Sequence, residues 1–123
     1  MKWITLLLLG CGSSPCVDLP VSCDPLYEPT FDNVYTNTLQ PTCGFEGTAC
    51  HSADGAQGGL VFAELEASYD NVLDRIEPGD PACSLLIQRI DAPDVADAMP
   101  PGDPLSEAER CAIRMWIDAG AER

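Results

Sequence analysis

The chain has 123 residues, of which 46% are hydrophobic, enough to bury one small core and too few for two. Twenty acidic against six basic residues give a formal charge of −14, which excludes the electrostatic footprint that nucleic-acid binding requires. The charges are interleaved with apolar residues and two tryptophans, which excludes intrinsic disorder, and seven cysteines in so short a chain indicate an oxidising, extracytoplasmic compartment.

The N-terminus opens with Met1-Lys2-Trp3, an apolar run from Ile4 to Leu9, and Gly10. This is the layout of a secretory signal, and the run is too short to cross a bilayer as a helix. Leu8-Leu9-Gly10-Cys11 resembles the bacterial lipobox, whose cysteine is diacylated and becomes the new N-terminus. The resemblance implies a signal peptide over 1–10, lipid on Cys11 and attachment of the chain to a membrane through that lipid. Gly12 after the cysteine implies the outer membrane, so the expected location is the cell envelope, periplasmic or at the surface. The plainer alternative is a cleaved signal that leaves Cys11 as a loop thiol. Residues 11–29 hold Pro15, Pro20, Pro25 and Pro29 and predict an extended tether, in which Cys16 and Cys23 can close a small loop.

Residues 30–123 predict one mainly α-helical domain. Thr30 suits the N-cap of a helix over 31–39 that places Phe31, Val34, Tyr35, Thr38 and Leu39 on one face, and Pro41 ends it. A glycine-rich stretch follows Cys50-His51. Helices are predicted over 66–74 and 81–90, the second with Asp80 as N-cap and Pro81 in its first turn. Residues 91–103 form a proline-broken loop containing Met99-Pro100-Pro101. Ser106-Glu107-Ala108-Glu109 is a capping box for the last helix, whose apolar positions are Ala108, Cys111, Ala112, Met115, Trp116 and Ala119, widened by Ile113 and Ile117. Gly120 is its stop. No segment alternates as a strand would.

Cys50-His51 is the pair that carries chemistry. In c-type cytochromes two cysteines form thioethers to haem, and the histidine after the second ligates the iron. Two residues usually separate those cysteines; here six, Gly44 to Ala49, lie between Cys43 and Cys50. The spacer must bulge outward, which Gly44 and Gly47 permit. His51 is the only histidine, so a second axial ligand has to be another residue type. Met99 is placed for it, since Met1 leaves with the signal and Met115 falls on the packed face of the last helix. The bland readings are a Cys43–Cys50 disulfide, a surface His51 and an incidental Met99. One histidine with paired exported thiols does not make a four-ligand zinc site, and no nucleophile with an orienting partner is assignable for hydrolysis.

Arg75-Ile76-Glu77-Pro78-Gly79-Asp80-Pro81, Ser84-Leu85-Leu86, Met99-Pro100-Pro101 and Trp116-Ile117-Asp118-Ala119-Gly120-Ala121 resemble the planctomycete-type cytochrome c domain family. The resemblance runs from about Phe31 to Ala121 and implies a small cytochrome c-like helical fold. It further implies haem c attached at Cys43 and Cys50, with His51 and Met99 as axial ligands. The function it implies is that of an electron carrier and not an enzyme. With those residues assigned, Cys16, Cys23, Cys83 and Cys111 remain for disulfides, and a Cys83–Cys111 bond would staple helix to helix around the Met99 loop. The acidity then suits redox partners with a basic docking surface. Two functions follow: a membrane-anchored monohaem cytochrome, or a haem-free, disulfide-stapled surface lipoprotein acting as a binding or structural module. The six-residue spacer divides them.

Overall fold

The first helix begins where Thr30 can cap it. In the computed structural model, which describes residues 16–46, 50–91 and 96–123, the Thr30 hydroxyl accepts from the Asn33 N–H (3.3 Å) and α1 runs Phe31–Val34. The signal expected at 1–10 and the lipidation expected at Cys11 fall outside the described residues. Contrary to the sequence reading, the helix does not stop before Pro41. It widens into a π-helix over Tyr35–Cys43 that contains the proline. Proline has no N–H, and in an α-helix its ring collides with the carbonyl four residues back. A wider winding accommodates it, and at its end the Gly44 N–H donates to the Leu39 carbonyl five residues back (2.8 Å). Phe31, Val34, Thr38 and Leu39 are buried on the expected face.

Helix α2 spans Leu65–Leu73. The helix predicted over 81–90 is two pieces, a 3₁₀ turn at Pro81–Cys83 and α3 at Leu85–Ile90. Ser84 breaks them apart: its hydroxyl accepts from the Glu77 N–H (2.8 Å) and donates to the Asp80 carbonyl (2.9 Å), competing with continuous helix. Helix α4, Glu107–Asp118, carries the predicted capping box, with Ser106 N–H donating to Glu109 Oε2 (2.9 Å) and Glu109 N–H to Ser106 Oγ (3.2 Å). Gly120, at φ 110°, ends it in a Schellman turn, Ala121 N–H donating to the Trp116 carbonyl (3.0 Å). The described residues contain no strand, and the domain is mainly α-helical as predicted.

The packed face of α4 needs correcting. Met115 is 41% exposed and Arg114 is buried, whereas Ile113 and Ile117 are buried as expected. The predicted stripe assumed one packed side, but α4 is covered from two: by the core, where Trp116 stacks near Phe31 (centroids 5.2 Å apart), and by residues 16–29. Arg114 is tolerated inside because its guanidinium pairs with Asp91 (2.9 Å) and with Glu107.

The described part of the expected tether lies along the domain as a strap. Val17 N–H donates to the Ala82 carbonyl (2.9 Å), Leu26 N–H to the Ala108 carbonyl (3.0 Å), and the Tyr27 and Thr38 hydroxyls share a hydrogen bond (2.6 Å). Val17, Leu19 and Tyr27 pack against the core. The disulfides join Cys16 to Cys83 and Cys23 to Cys111. The pairings Cys16–Cys23 and Cys83–Cys111 are therefore corrected. The extended, proline-containing strap carries its two cysteines apart, and each meets the helical segment beneath it. These bonds span 67 and 88 residues, and loop closure of that length contributes about 4 kcal/mol per bond in the chain-entropy account. Replacing Cys23 and Cys111 together by alanine is expected to cost about 2–4 kcal/mol, read as a lower denaturant midpoint. An unchanged midpoint would show that the strap does not brace the fold.

Candidate functional site

Cys43 stands at the end of the π-helix, and the chain passes from it into Gly44. A Cβ on Gly44 would sit 2.5 Å from the Phe62 carbonyl oxygen and 2.7 Å from the Phe62 Cβ, so only glycine lets the helix end approach residue 62 this closely. Beyond the spacer the chain returns to the same place. His51 N–H donates to the Cys43 carbonyl (3.1 Å) and Phe62 N–H donates to the His51 carbonyl (2.8 Å). Phe62 is fully buried, and its ring meets the imidazole edge-on, centroids 5.9 Å apart. Three segments thus converge on His51. Gly44→Ala is expected to destabilise the protein by about 1–3 kcal/mol, because the obstructing atoms belong to a packed backbone; a thermal midpoint equal to wild type would contradict this.

His51 Nδ1 lies 3.0 Å from the Leu60 carbonyl oxygen. A carbonyl can only accept, so Nδ1 carries the proton and Nε2 keeps its lone pair. Met99 is set by its N–H donating to the Arg89 carbonyl (2.8 Å) and packs against the core. The two loops meet at a cavity of about 290 Å³ lined by Cys43, Cys50, His51, Gln57, Met99, Pro100 and their neighbours. All four residues that the sequence assigns to haem therefore face one cavity. Trp116 does not line it, being held in the core with its Nε1–H donating to the Glu122 carbonyl (2.8 Å). The exposed Met115 belongs to a different cavity, between the strap and α4.

The donor set fits a haem. Two thiols, an imidazole nitrogen and a thioether are the groups that hold haem c, and both thiols are free. Among the described residues no three His, Cys, Asp or Glu side chains converge as the ligands of a bare ion would.

The two thiols differ. Cys50 is exposed, whereas Cys43 packs against the core, and its burial, reinforced by the nearby Cys50, pushes its thiol up to about 12. The folded state therefore holds the Cys43 proton more tightly than the unfolded chain does. That preference is fully present below the ordinary cysteine range and is lost as pH rises toward the folded value, so alkali weakens the fold. In the haem-free protein near pH 8, iodoacetamide is expected to label Cys50 and spare Cys43 until the chain is unfolded. Equal labelling rates, read by peptide mass, would contradict the burial of Cys43.

The sequence names Cys43, Cys50, His51 and Met99, but not Gln57 or Phe62 beside them, nor the backbone that holds them. The Leu60 carbonyl has no sequence signature, and neither does the Phe62 backbone; Gly44, read only as permitting a bulge, is the one residue that could have signalled the close approach. No curated protein and no solved structure matches the chain. A family model does, over a segment that contains Cys50, His51 and Met99, begins after Cys43 and ends before α4. That segment, residues 48–103, is matched by Planctomycete cytochrome C, the family that the sequence resembles.

Proposed function

We propose that this chain is an exported, membrane-anchored monohaem c-type cytochrome that carries single electrons at the cell envelope. The observation supporting this reading is the convergence of Cys43, Cys50, His51 and Met99 on one cavity, although they come from loops almost fifty residues apart in sequence. Haem bound between an imidazole and a thioether supplies a one-electron iron couple at raised potential. The chain's own residues prepare the place for it. Leu60 fixes the His51 ring so that Nε2 is the free donor, and Phe62 backs the ring. Arg89 holds the Met99 backbone, and Met99 brings its sulfur to the same cavity. Cys43 and Cys50 present the thiols for covalent attachment. Lipid on Cys11 would tie the strap, and through its disulfides the domain, to a membrane. The large acid excess favours encounter with redox partners bearing a basic surface.

Protein produced in a haem-attaching host is expected to show Soret and α bands that survive denaturation. No such bands, with a mass matching a third disulfide, would overturn the reading in favour of a haem-free structural lipoprotein. In the haem-loaded oxidised protein, Met99→Ala should abolish the sulfur-to-iron charge-transfer band, and His51→Ala should prevent low-spin haem. A retained band in the Met99 variant would assign the second ligand elsewhere.

A further inference from the structure

The carbonyl that orients His51 sits at the end of a strained, glycine-containing turn. Between residues 56 and 59 three backbones are left-handed: Ala56 at φ 42°, Gly58 at 63° and Gly59 at 73°. The two glycines adopt this freely, but Ala56 is strained there and glycine adds no side-chain packing. Its start is tied to the Cys-His segment by Ala56 N–H to the Ser52 carbonyl (2.9 Å) and Gln57 N–H to the Cys50 carbonyl (3.0 Å). Within the turn itself the backbone bonds are Gly59 N–H to the Ala56 carbonyl (3.0 Å) and Leu60 N–H to the Gln57 carbonyl (3.2 Å), and the Gly58 carbonyl is held by Arg75. Arg75 reaches over this turn from just beyond α2. Its Nη2 donates to the Gly58 carbonyl (2.9 Å), and its Nη1 donates to the Asn71 carbonyl of α2 (3.1 Å). The guanidinium lies so close that a Cβ on Gly59 would be 3.8 Å from Nη2. The Arg75 backbone is itself anchored, donating to Val72 and accepting from Leu86.

We propose that Arg75 is the positioning residue of the site: by clamping the Gly58 carbonyl to α2 it fixes the turn whose Leu60 carbonyl orients and polarises His51. Hydrogen bonding to the Nδ1–H strengthens an imidazole as a donor at Nε2. Arg75 thus tunes the proximal ligand without touching it. Leu60 is held on its far side by its buried side chain and by the bond from Phe62 to His51, so loss of the clamp loosens the turn without opening the core.

The test has two readouts, and only the second rests on the haem reading. In the haem-free protein, ¹⁵N NMR at a pH where His51 is neutral is expected to show the Nδ1–H tautomer in wild type. Arg75→Met should shift it toward the Nε2–H form that free imidazole of histidine favours, and Arg75→Lys, which retains a donor for the Gly58 carbonyl, should restore it. In the haem-loaded protein, Arg75→Met should raise the reduction potential, because a weaker imidazole donor stabilises the oxidised iron less; Arg75→Lys should stay near wild type. Lowered stability with tautomer and potential both unchanged would overturn the proposal and leave Arg75 a merely structural residue. If Arg75→Met does not fold, Arg75→Gln takes its place. It is too short to reach Gly58 but still able to meet its own helix, and it carries the same expectations. A wild-type chain that takes no haem overturns the proposed function alone, and the tautomer then decides the role of Arg75.

Discussion

The geometry of this domain depends on a strap cross-linked at two points. Residues 16–29 cannot fold as a helix because of their prolines, so their position is set from outside, by bonds from Cys16 to Cys83 and from Cys23 to Cys111. Those partners bracket the segment that matters. Cys83 lies just before α3, Cys111 lies in the second turn of α4, and the Met99 loop leaves from the end of one helix and returns at the start of the other. Both bases of the loop are therefore tied to the same strap. A helical domain this small has little core with which to fix a long loop, and covalent links supply what packing cannot.

The opposite wall of the cavity is fixed without any covalent bond. Gly44 lets the end of the π-helix touch Phe62, and backbone hydrogen bonds then run from Phe62 to His51 and from His51 to Cys43. One close approach joins the helix end, the Cys-His loop and the 60–62 segment. Cys43 and His51 are thus brought together by backbone.

What the sequence disclosed follows the range of the interactions involved. Thr30, the Ser106–Glu109 box and Gly120 act within one turn, and each helix end they specify is found in place. Ser84 also acts locally, but its choice between helix and side-chain bonding depends on Glu77 and Asp80 being delivered by a turn. Pro41 reads as the end of the helix, and the chain instead continues through it as π-helix, with Thr38 and Leu39 still buried. The cysteine pairing could not be read at all, since four cysteines allow three pairings and the correct one requires knowing that the strap crosses α4. The exposure of Met115 and burial of Arg114 have the same cause. Met99 follows by elimination and from the order of elements that the resemblance implies, and it lines the same cavity as Cys50 and His51, although the packed Met115 assumed in that elimination is exposed.

The arginines show how an acidic chain holds itself together. Arg114 and Arg110 both meet Asp91, at 2.9 and 3.4 Å, where the chain leaves α3. Burial nevertheless outweighs their attraction and pushes the Asp91 carboxyl above its ordinary range, and its Oδ2 has no partner among the described residues. The cluster therefore adds less stability than its short contacts suggest, and its effect is directional: it fixes α4 against the base of the Met99 loop. Arg89 pairs with Asp97 farther along that loop, and Arg123 joins Asp32 to Glu66 between the first two helices. Each of these four arginines has a carboxylate within the fold. Arg75 is used differently: its nearest carboxylate, Asp74, is 3.7 Å away and exposed, while its guanidinium donates to two neutral carbonyls. In a chain with twenty acidic side chains, neutralising charge would have needed no such placement. A forked donor across the gap between α2 and the turn beside His51 does need it, because a planar guanidinium can hold two carbonyls at a fixed separation.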